Sequence, residues 1–107
     1  MEKNAKVVII GGGVVGCSIL YHLSKFGLKD CILLERNELT SGSSWHAAGN
    51  VHVISSDPNI SRMMAYTIGL YKEIEKESGH SVGFKPSGGF YLASNDVWAE
   101  YLKRERS

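Results

Sequence analysis

The sequence predicts an α/β fold that opens with a βαβ unit over residues 6–35. Four consecutive apolar residues, Val7–Ile10, run directly into a Gly-x-Gly-x-x-Gly pattern at residues 11–16. A helical pattern follows, and then a second apolar stretch that ends on Glu35. A buried strand, a glycine turn, a helix and a second strand, in that order, turn a weak glycine pattern into a credible dinucleotide site.

Each glycine of the pattern has a predicted role. Gly11 allows a tight turn that a side chain would obstruct, and Gly13 lets the backbone approach a pyrophosphate closely. Gly16 lets the helix pack against the strand. The first N–H groups of the helix then face the phosphate oxygens, and the helix dipole favours their negative charge.

The helix should run from about Val14 to Phe26, because apolar residues recur there at helical spacing. Gly27 is a natural C-terminal stop, and the return strand falls within residues 28–34. Glu35 follows Gly16 at close to the spacing of about 20 residues that is expected for a ribose-binding acid. Such a carboxylate would repel a 2′-phosphate, which favours FAD or NAD over NADP. The alternative is that this acid only ends a strand at the surface.

Composition restricts the partners and the extent of the fold. With 12 basic and 11 acidic residues, the chain gives no reason to expect nucleic acid or an anionic membrane as a partner. Its apolar runs are far shorter than the roughly 20 residues of a spanning helix. A doubly wound domain uses about five or six strands, and only two fit the pattern here. We therefore expect an N-terminal fragment of a longer protein.

Two further features of the composition bear on location and metal binding. The first residues, Met1–Lys6, show neither a signal core nor a transit segment, which favours the cytoplasm, or the mitochondrial matrix if a transit peptide is missing. Cys17 and Cys31 form no CxxC pair and have apolar neighbours, so we expect buried free thiols. We find no Zn-type Cys/His cluster, and no metal is predicted.

A second informative stretch, residues 37–50, reads NELTSGSSWHAAGN. The small donors of residues 40–44 suit a loop that turns into a helix N-terminus, where anions bind readily. Trp45 and His46 follow, and the small residues 47–49 permit close approach of a planar group. A Trp-His pair in such a loop is usually a packing feature, but its position just after the ribose-binding strand favours a cofactor contact.

The remaining chain predicts two helices and two short strands. Residues 51–54 are ambiguous, and we interpret His52 as a structural histidine rather than a site residue. Asp57 can cap a helix that has Pro58 in its first turn, runs over residues 58–77 and ends at Gly79. The further elements are strands at 82–85 and 89–93 around a turn at 86–88, and a helix at 95–106 with Trp98 and Leu102 inward and a solvated basic end.

Three segments together resemble a known family. KVVIIGGGVVGCSILYHLSKFG, LLERNELTSGSSWHAAGN and PSGGFYLA resemble the FAD-dependent amine oxidoreductases of the D-amino-acid-oxidase-like superfamily, and are most similar to its dimethylglycine and sarcosine dehydrogenases. The resemblance covers roughly residues 5 to 95. The glycine motif alone would fit many flavin and nicotinamide enzymes, whereas ELTSGSSWHAAG is much more specific.

The resemblance implies a domain organisation and a set of site residues. Residues 1–80 would be the N-terminal part of a Rossmann-like FAD-binding domain, and residues 81–107 the first strands of a substrate-binding sheet with a following helix. His46 matches the histidine bonded covalently to the flavin 8α-methyl carbon in dimethylglycine and sarcosine dehydrogenases. Asn50 departs from the family, where an apolar residue such as leucine is usual. The implied cofactor-binding residues are Gly11, Gly13, Val14, Val15 and Gly16 at the pyrophosphate, Glu35 and Arg36 on the adenosine side, and Gly42, Ser43, Ser44, Trp45, His46, Ala47, Ala48, Gly49 and Asn50 along the flavin.

The resemblance also implies a function, with alternatives. FAD would accept a hydride at N5 from a secondary or tertiary N-methyl amine, and oxygen or an electron-transfer protein would reoxidise it. Folate would be a further cofactor only if a C-terminal domain exists. One alternative is a non-catalytic regulatory subunit, since such a subunit of pyruvate dehydrogenase phosphatase resembles dimethylglycine dehydrogenase. Another is an amine or amino-acid oxidase with non-covalent FAD.

Overall fold

A computed structural model describes residues 4–53 and 55–105, which divide into two compact units between Asn50 and Val51. The first unit contains strand β1 (Val7–Ile10), helix α1 (Val14–Lys25) and strand β2 (Cys31–Leu34). The second contains helices α2 (Pro58–Ser78) and α3 (Asp96–Glu105). Of the segments interpreted from sequence, residues 1–3, 54 and 106–107 lie outside the described residues.

The first unit is the predicted βαβ unit. β1 and β2 pair in parallel, with Val7 opposite Cys31 and Ile10 opposite Leu34. The N–H of Gly11 continues the ladder by donating to the Leu34 carbonyl oxygen at 2.8 Å. α1 forms the crossover and packs on both strands, as two parallel neighbours require.

α1 ends where the sequence predicts. Gly27 adopts a left-handed conformation, with φ of 84°. Its N–H donates to the Ser24 carbonyl oxygen, and the N–H of Leu28 donates to the Leu23 carbonyl oxygen, at 2.9 and 3.0 Å. This pair of hydrogen bonds is a Schellman motif, which satisfies the last carbonyl groups of a helix.

The apolar residues of this unit are less covered than a doubly wound fold would make them. Ile9 is buried at 8% exposure, whereas Ile10 is 87% exposed. Cys17 and Cys31 are free thiols but only partly buried, so the prediction of buried thiols is wrong. The reason is that such sheets are covered by helices on both faces, and one helix packs on the two described strands.

In the second unit, α2 has the predicted signals at both ends. Oδ1 of Asp57 accepts from the N–H of Asn59 at 2.7 Å and of Ile60 at 3.3 Å. Gly79 closes the helix with φ of 71° and donates its N–H to the Glu75 carbonyl oxygen. Both ends are therefore satisfied by local bonds that the residue types specify.

The chain after α2 differs from prediction. Residues 82–85 and 89–93 form no strand in the part of the chain that the structure describes, and Phe90 is 97% exposed. A strand needs a neighbour to bond its backbone groups, and the described residues supply none for these segments. Their place in a substrate-binding sheet stays a prediction.

α3 begins close to the predicted position. Oδ1 of Asn95 accepts from the N–H of Trp98 at 2.9 Å. Trp98 is 53% exposed rather than inward, because no described helix or strand packs on α3. Its ring contacts only the edge-on ring of Tyr101, of the same helix, among the aromatic rings described. Within residues 4–53 and 55–105, no helix combines the length and apolar character that crossing a membrane requires.

Candidate functional site

The glycine turn between β1 and α1 is shaped by close backbone approach. Gly11 has φ of 106°, which favours glycine. A Cβ on buried Gly16 would collide with the Gly11 carbonyl oxygen and would meet Cγ2 of Ile9 at 3.4 Å. The structure thus gives Gly11 and Gly16 the turn and packing roles that the pattern predicts.

Gly12, a variable position of the pattern, is equally confined. A Cβ there would lie 2.5 Å from Cδ2 of Leu39 and 3.0 Å from Cβ of Glu35. Sequence reasoning missed this residue, although three glycines in a row were a signal. The contacts show that the loop after β2 lies directly against the glycine turn.

A hydroxyl from that loop caps α1. Gly13 is the N-cap residue and has no side chain to accept from the first N–H groups of the helix. Oγ of Ser44 accepts instead from the N–H of Val14 at 2.8 Å. The first N–H groups of a helix have no intrahelical acceptor and carry partial positive charge. Ser44 therefore lies at the position where this helix end would attract an anion.

The Glu35 carboxylate ties the end of β2 to the glycine turn. Oε1 accepts from the N–H of Asn37 at 2.9 Å, and Oε2 accepts from the N–H of Gly12 at 2.7 Å. These two bonds, that of Asn37 first, hold the pKa of the Glu35 carboxyl below its usual range. Each carboxylate oxygen has a second lone pair, so a ribose hydroxyl can still donate to it.

The loop after β2 is held to the turn by its backbone. The N–H of Thr40 donates to the Gly12 carbonyl oxygen at 2.9 Å, and the Thr40 carbonyl oxygen accepts from the N–H of Trp45 at 3.0 Å. Thr40 has φ of 66°, an outlier for a β-branched residue that costs about 1–3 kcal/mol. Residues 39–46 form hydrogen-bonded turns instead of the predicted helix start.

His46 lies on the same loop with one ring nitrogen committed. Its Nδ1 is 2.9 Å from the Gly42 carbonyl oxygen. A carbonyl can only accept, so Nδ1 carries the hydrogen. In the neutral imidazole this leaves a lone pair on Nε2. The side chain is exposed, and that nitrogen is available to a reaction partner.

A cleft of about 590 Å³ lies where the glycine turn, α1, Glu35 and the loop meet. It brings together most of the predicted site residues, and five others of the same loop do not line it. The predicted residues in its wall are Gly11, Gly13, Val14, Val15, Gly16, Glu35, Arg36, Gly42, Ser43, Ser44 and Ala47; those outside it are Trp45, His46, Ala48, Gly49 and Asn50. Sequence reasoning did not assign the other wall residues Ile9, Ile10, Ile19 and Asn37 to the site. It placed Thr40 and Ser41, which also line the wall, in the anion-binding loop but not among the cofactor contacts.

The cleft contains the chemical groups that binding of a nucleoside diphosphate requires. Its volume falls within the ordinary range of ligand pockets, about 300–1,000 Å³. At one place it presents a helix N-terminus and loop hydroxyls, which bind phosphate oxygens. At another it presents the ionised Glu35, which accepts from hydroxyls. The residues therefore fit the adenosine diphosphate portion of a dinucleotide.

We expect Glu35→Gln to change how stability depends on pH. The folded-state pKa of Glu35 lies below its unfolded value, so its stabilisation is complete above the unfolded value and is lost as pH falls through the folded one. The gap in melting temperature between the wild type and Glu35→Gln should thus narrow on acidification. Melts of the full-length protein across acidic pH measure it. Glu38→Gln is the control, because Glu38 is an exposed carboxylate of the same loop. Equal profiles for the two variants would contradict the role of these bonds.

The fold and the turn define an α/β protein whose chain begins with a glycine-turn βαβ unit. Residues 6–107 match the family described as DAO, FAD dependent oxidoreductase. The chain is 46% identical to human dimethylglycine dehydrogenase, mitochondrial, over 95% of its own length and 12% of that protein's. It is 39% identical to human sarcosine dehydrogenase, mitochondrial, over 97% and 11%. It is 38% identical to the mouse pyruvate dehydrogenase phosphatase regulatory subunit, mitochondrial, over 100% and 12%.

These matches identify the family. The chain belongs to the FAD-dependent oxidoreductases of the DAO family, as the resemblance in its sequence predicts. It spans about an eighth of the length of the curated relatives it matches.

Proposed function

We propose that this chain is the N-terminal part of an FAD-dependent oxidoreductase that oxidises a secondary or tertiary N-methyl amine. One observation carries the proposal. The loop that bears His46 is bonded to the glycine turn at Gly12 and Val14, so a single ligand can contact both. The similarity to dimethylglycine and sarcosine dehydrogenases supports the amine as the substrate class.

The residues around the cleft would bind the adenosine diphosphate half of FAD. The start of α1 at Val14 and Val15, together with Ser44, would lie at the pyrophosphate. The Ser44 hydroxyl, whose oxygen accepts from the Val14 N–H, and the N–H of Val15 would be its donors there. Glu35 would accept from the ribose hydroxyls, and Arg36 would lie on the adenosine side. The remaining loop residues, from Trp45 to Asn50, would run along the flavin. When bound, FAD supplies the hydride acceptor.

His46 would attach the flavin. The hydrogen bond from Nδ1 to the Gly42 carbonyl oxygen keeps one nitrogen protonated and turns the other into the available nucleophile. A neutral imidazole nitrogen has the lone pair that bonding to the 8α carbon of the flavin requires. Attachment would retain the cofactor and raise its tendency to accept a hydride.

Further proposals concern the domain division of the chain and the partners and location of the whole protein. Residues 1–80 would belong to the FAD-binding domain and residues 81–107 to the start of the substrate-binding sheet. Oxygen or an electron-transfer protein would accept the electrons, and folate would bind only in a C-terminal domain. The three relatives are mitochondrial proteins, which favours a mitochondrial location over the cytoplasm.

A regulatory subunit is the second candidate. Its support is the mouse phosphatase subunit, which matches over the full length of this chain at 38% identity. A third candidate is an amine or amino-acid oxidase with non-covalent FAD. Among the described residues, only His46 would have a different role, because it would not be bonded to the flavin.

Acid precipitation of the full-length gene product, expressed with riboflavin, tests the proposal. We expect a yellow protein whose colour stays in the pellet, and which bleaches on addition of dimethylglycine or sarcosine without oxygen. Colour released to the supernatant would leave a flavoprotein but remove the attachment at His46. A colourless protein would contradict the enzyme and favour the regulatory subunit.

A further inference from the structure

Thr40 has an unusual backbone at the junction of the candidate site. It is the one non-glycine residue with positive φ in the two described ranges. The structure places it in the wall of the cleft, between β2 and the turn that carries His46. It belongs to the segment ELTSGSSWHAAG, but it is not among the cofactor-binding residues that the family resemblance implies.

Both backbone groups of Thr40 are bonded, and in different directions. Its N–H reaches the Gly12 carbonyl oxygen in the glycine turn at 2.9 Å. Its carbonyl oxygen accepts at 3.0 Å from the N–H of Trp45, the neighbour of His46. The direction of a residue's N–H relative to its own carbonyl depends on its φ and ψ angles together. Thr40 makes both of these bonds with a left-handed φ of 66°.

A third bond completes the connection to the imidazole. His46 Nδ1 donates to the Gly42 carbonyl oxygen, within the turn that the Thr40–Trp45 bond closes. A continuous path of hydrogen bonds therefore runs from Gly12 through Thr40 to the segment of His46. Strained backbone persists where surrounding contacts require it, and it is concentrated at functional sites.

We infer that Thr40 is a positioning residue whose left-handed backbone fixes His46 relative to the glycine turn. The inference rests on the proposed attachment of FAD at His46 and adds a residue to it. Thr40 acts through its N–H and carbonyl, not through its hydroxyl. Attachment requires a nucleophile held close to the reacting carbon, and small displacements of such groups are costly in rate.

Substitutions of Thr40 in the full-length protein distinguish an effect of its backbone from an effect of its side chain. Thr40→Gly and Thr40→Asn keep the N–H and tolerate a left-handed backbone, so covalent flavin should stay within about twofold of wild type. Thr40→Pro removes the N–H and fixes φ near −65°. We expect its acid-precipitable flavin to form at least about tenfold more slowly, while reversible FAD uptake persists.

Three outcomes would overturn the inference. Attachment at the wild-type rate in Thr40→Pro would show that the bonds are dispensable. Loss of attachment in Thr40→Gly and Thr40→Asn alike would assign the effect to the hydroxyl. A wild type without covalent flavin would remove the proposed attachment together with this inference, and is distinguished from the first two because the wild type itself fails.

A second measurement uses the wild-type protein, so it gives an answer even if the Thr40→Pro variant fails to fold. In full-length protein prepared without FAD, hydrogen exchange reports whether the amides of Thr40 and Trp45 are bonded before the cofactor arrives. We expect both to exchange at least about tenfold more slowly than in an unfolded peptide of the same sequence. Exchange at the peptide rate would overturn the inference, whatever the behaviour of Thr40→Pro.

Discussion

Replacing His46 with alanine should abolish covalent flavin in the full-length protein. Alanine has no nucleophilic nitrogen, so all flavin should be released into the supernatant on acid precipitation. Reversible FAD binding should persist, because the cleft is lined by other residues. The protein should stay folded, since the change removes one exposed hydrogen bond, to the Gly42 carbonyl oxygen, worth about 0.5–1.5 kcal/mol.

His52→Ala is the matched control. His52 is also exposed and lies six positions further along the chain. We interpret it as structural, so its replacement should leave acid-precipitable flavin at the wild-type level. Equal losses in the two variants would indicate a general effect on folding. Retention of covalent flavin in His46→Ala would place the attachment at another residue and would contradict the proposed role of His46.

Gly16→Ala should prevent the first unit from forming its native turn. The added Cβ would collide with the Gly11 carbonyl oxygen, which is backbone that cannot rotate away as a flexible side chain can. Ile9, the buried hydrophobic residue of this unit, would lie 3.4 Å away on another side. Overpacking of this kind costs about 1–3 kcal/mol and more where backbone must move. We expect a lower melting temperature of the full-length protein and loss of bound FAD.

Gly69→Ala provides the control within the same chain. Gly69 lies inside α2, and nothing lies within 4 Å of a Cβ built there. Alanine has the higher helix propensity, so this change should stabilise the protein by about 0.5–1 kcal/mol. A lower melting temperature for Gly16→Ala together with a higher one for Gly69→Ala would attribute the effect of Gly16→Ala to its contact with Gly11. A Gly16→Ala variant with the wild-type melting temperature would contradict the close approach of Gly16 to the Gly11 carbonyl oxygen.

Much of the fold could be predicted because its signals are local. The Val7–Ile10 strand, the stop at Gly27, and the helix that Asp57 caps and Gly79 ends follow from residue types that satisfy backbone groups of their own segment. Burial could not be predicted in this way. Cys17, Cys31 and Trp98 have apolar neighbours in sequence, but their exposure depends on which elements pack over them.

The candidate site likewise contains residues that the sequence predicts and contacts that it does not. Gly11, Gly13, Gly16 and Glu35 could be identified from spacing, because their roles depend on a short βαβ unit. The second role of Glu35, as acceptor for the Gly12 N–H, could not, since those residues are 23 positions apart. Nor does any local pattern show that Ser44 caps α1 from the far side of β2, 30 positions away.

Sequence alone was sufficient to predict the family, the βαβ unit and the identity of the groups available to a cofactor. Local propensity, glycine spacing and residue chemistry are properties of short segments, and these determine such features. The way the loop meets the glycine turn is visible only in the folded chain, in the Thr40 backbone bonds, the Ser44 cap and the two bonds to Glu35. Hydrogen bonds between distant segments depend on distances that exist only after β1, α1 and β2 have packed together.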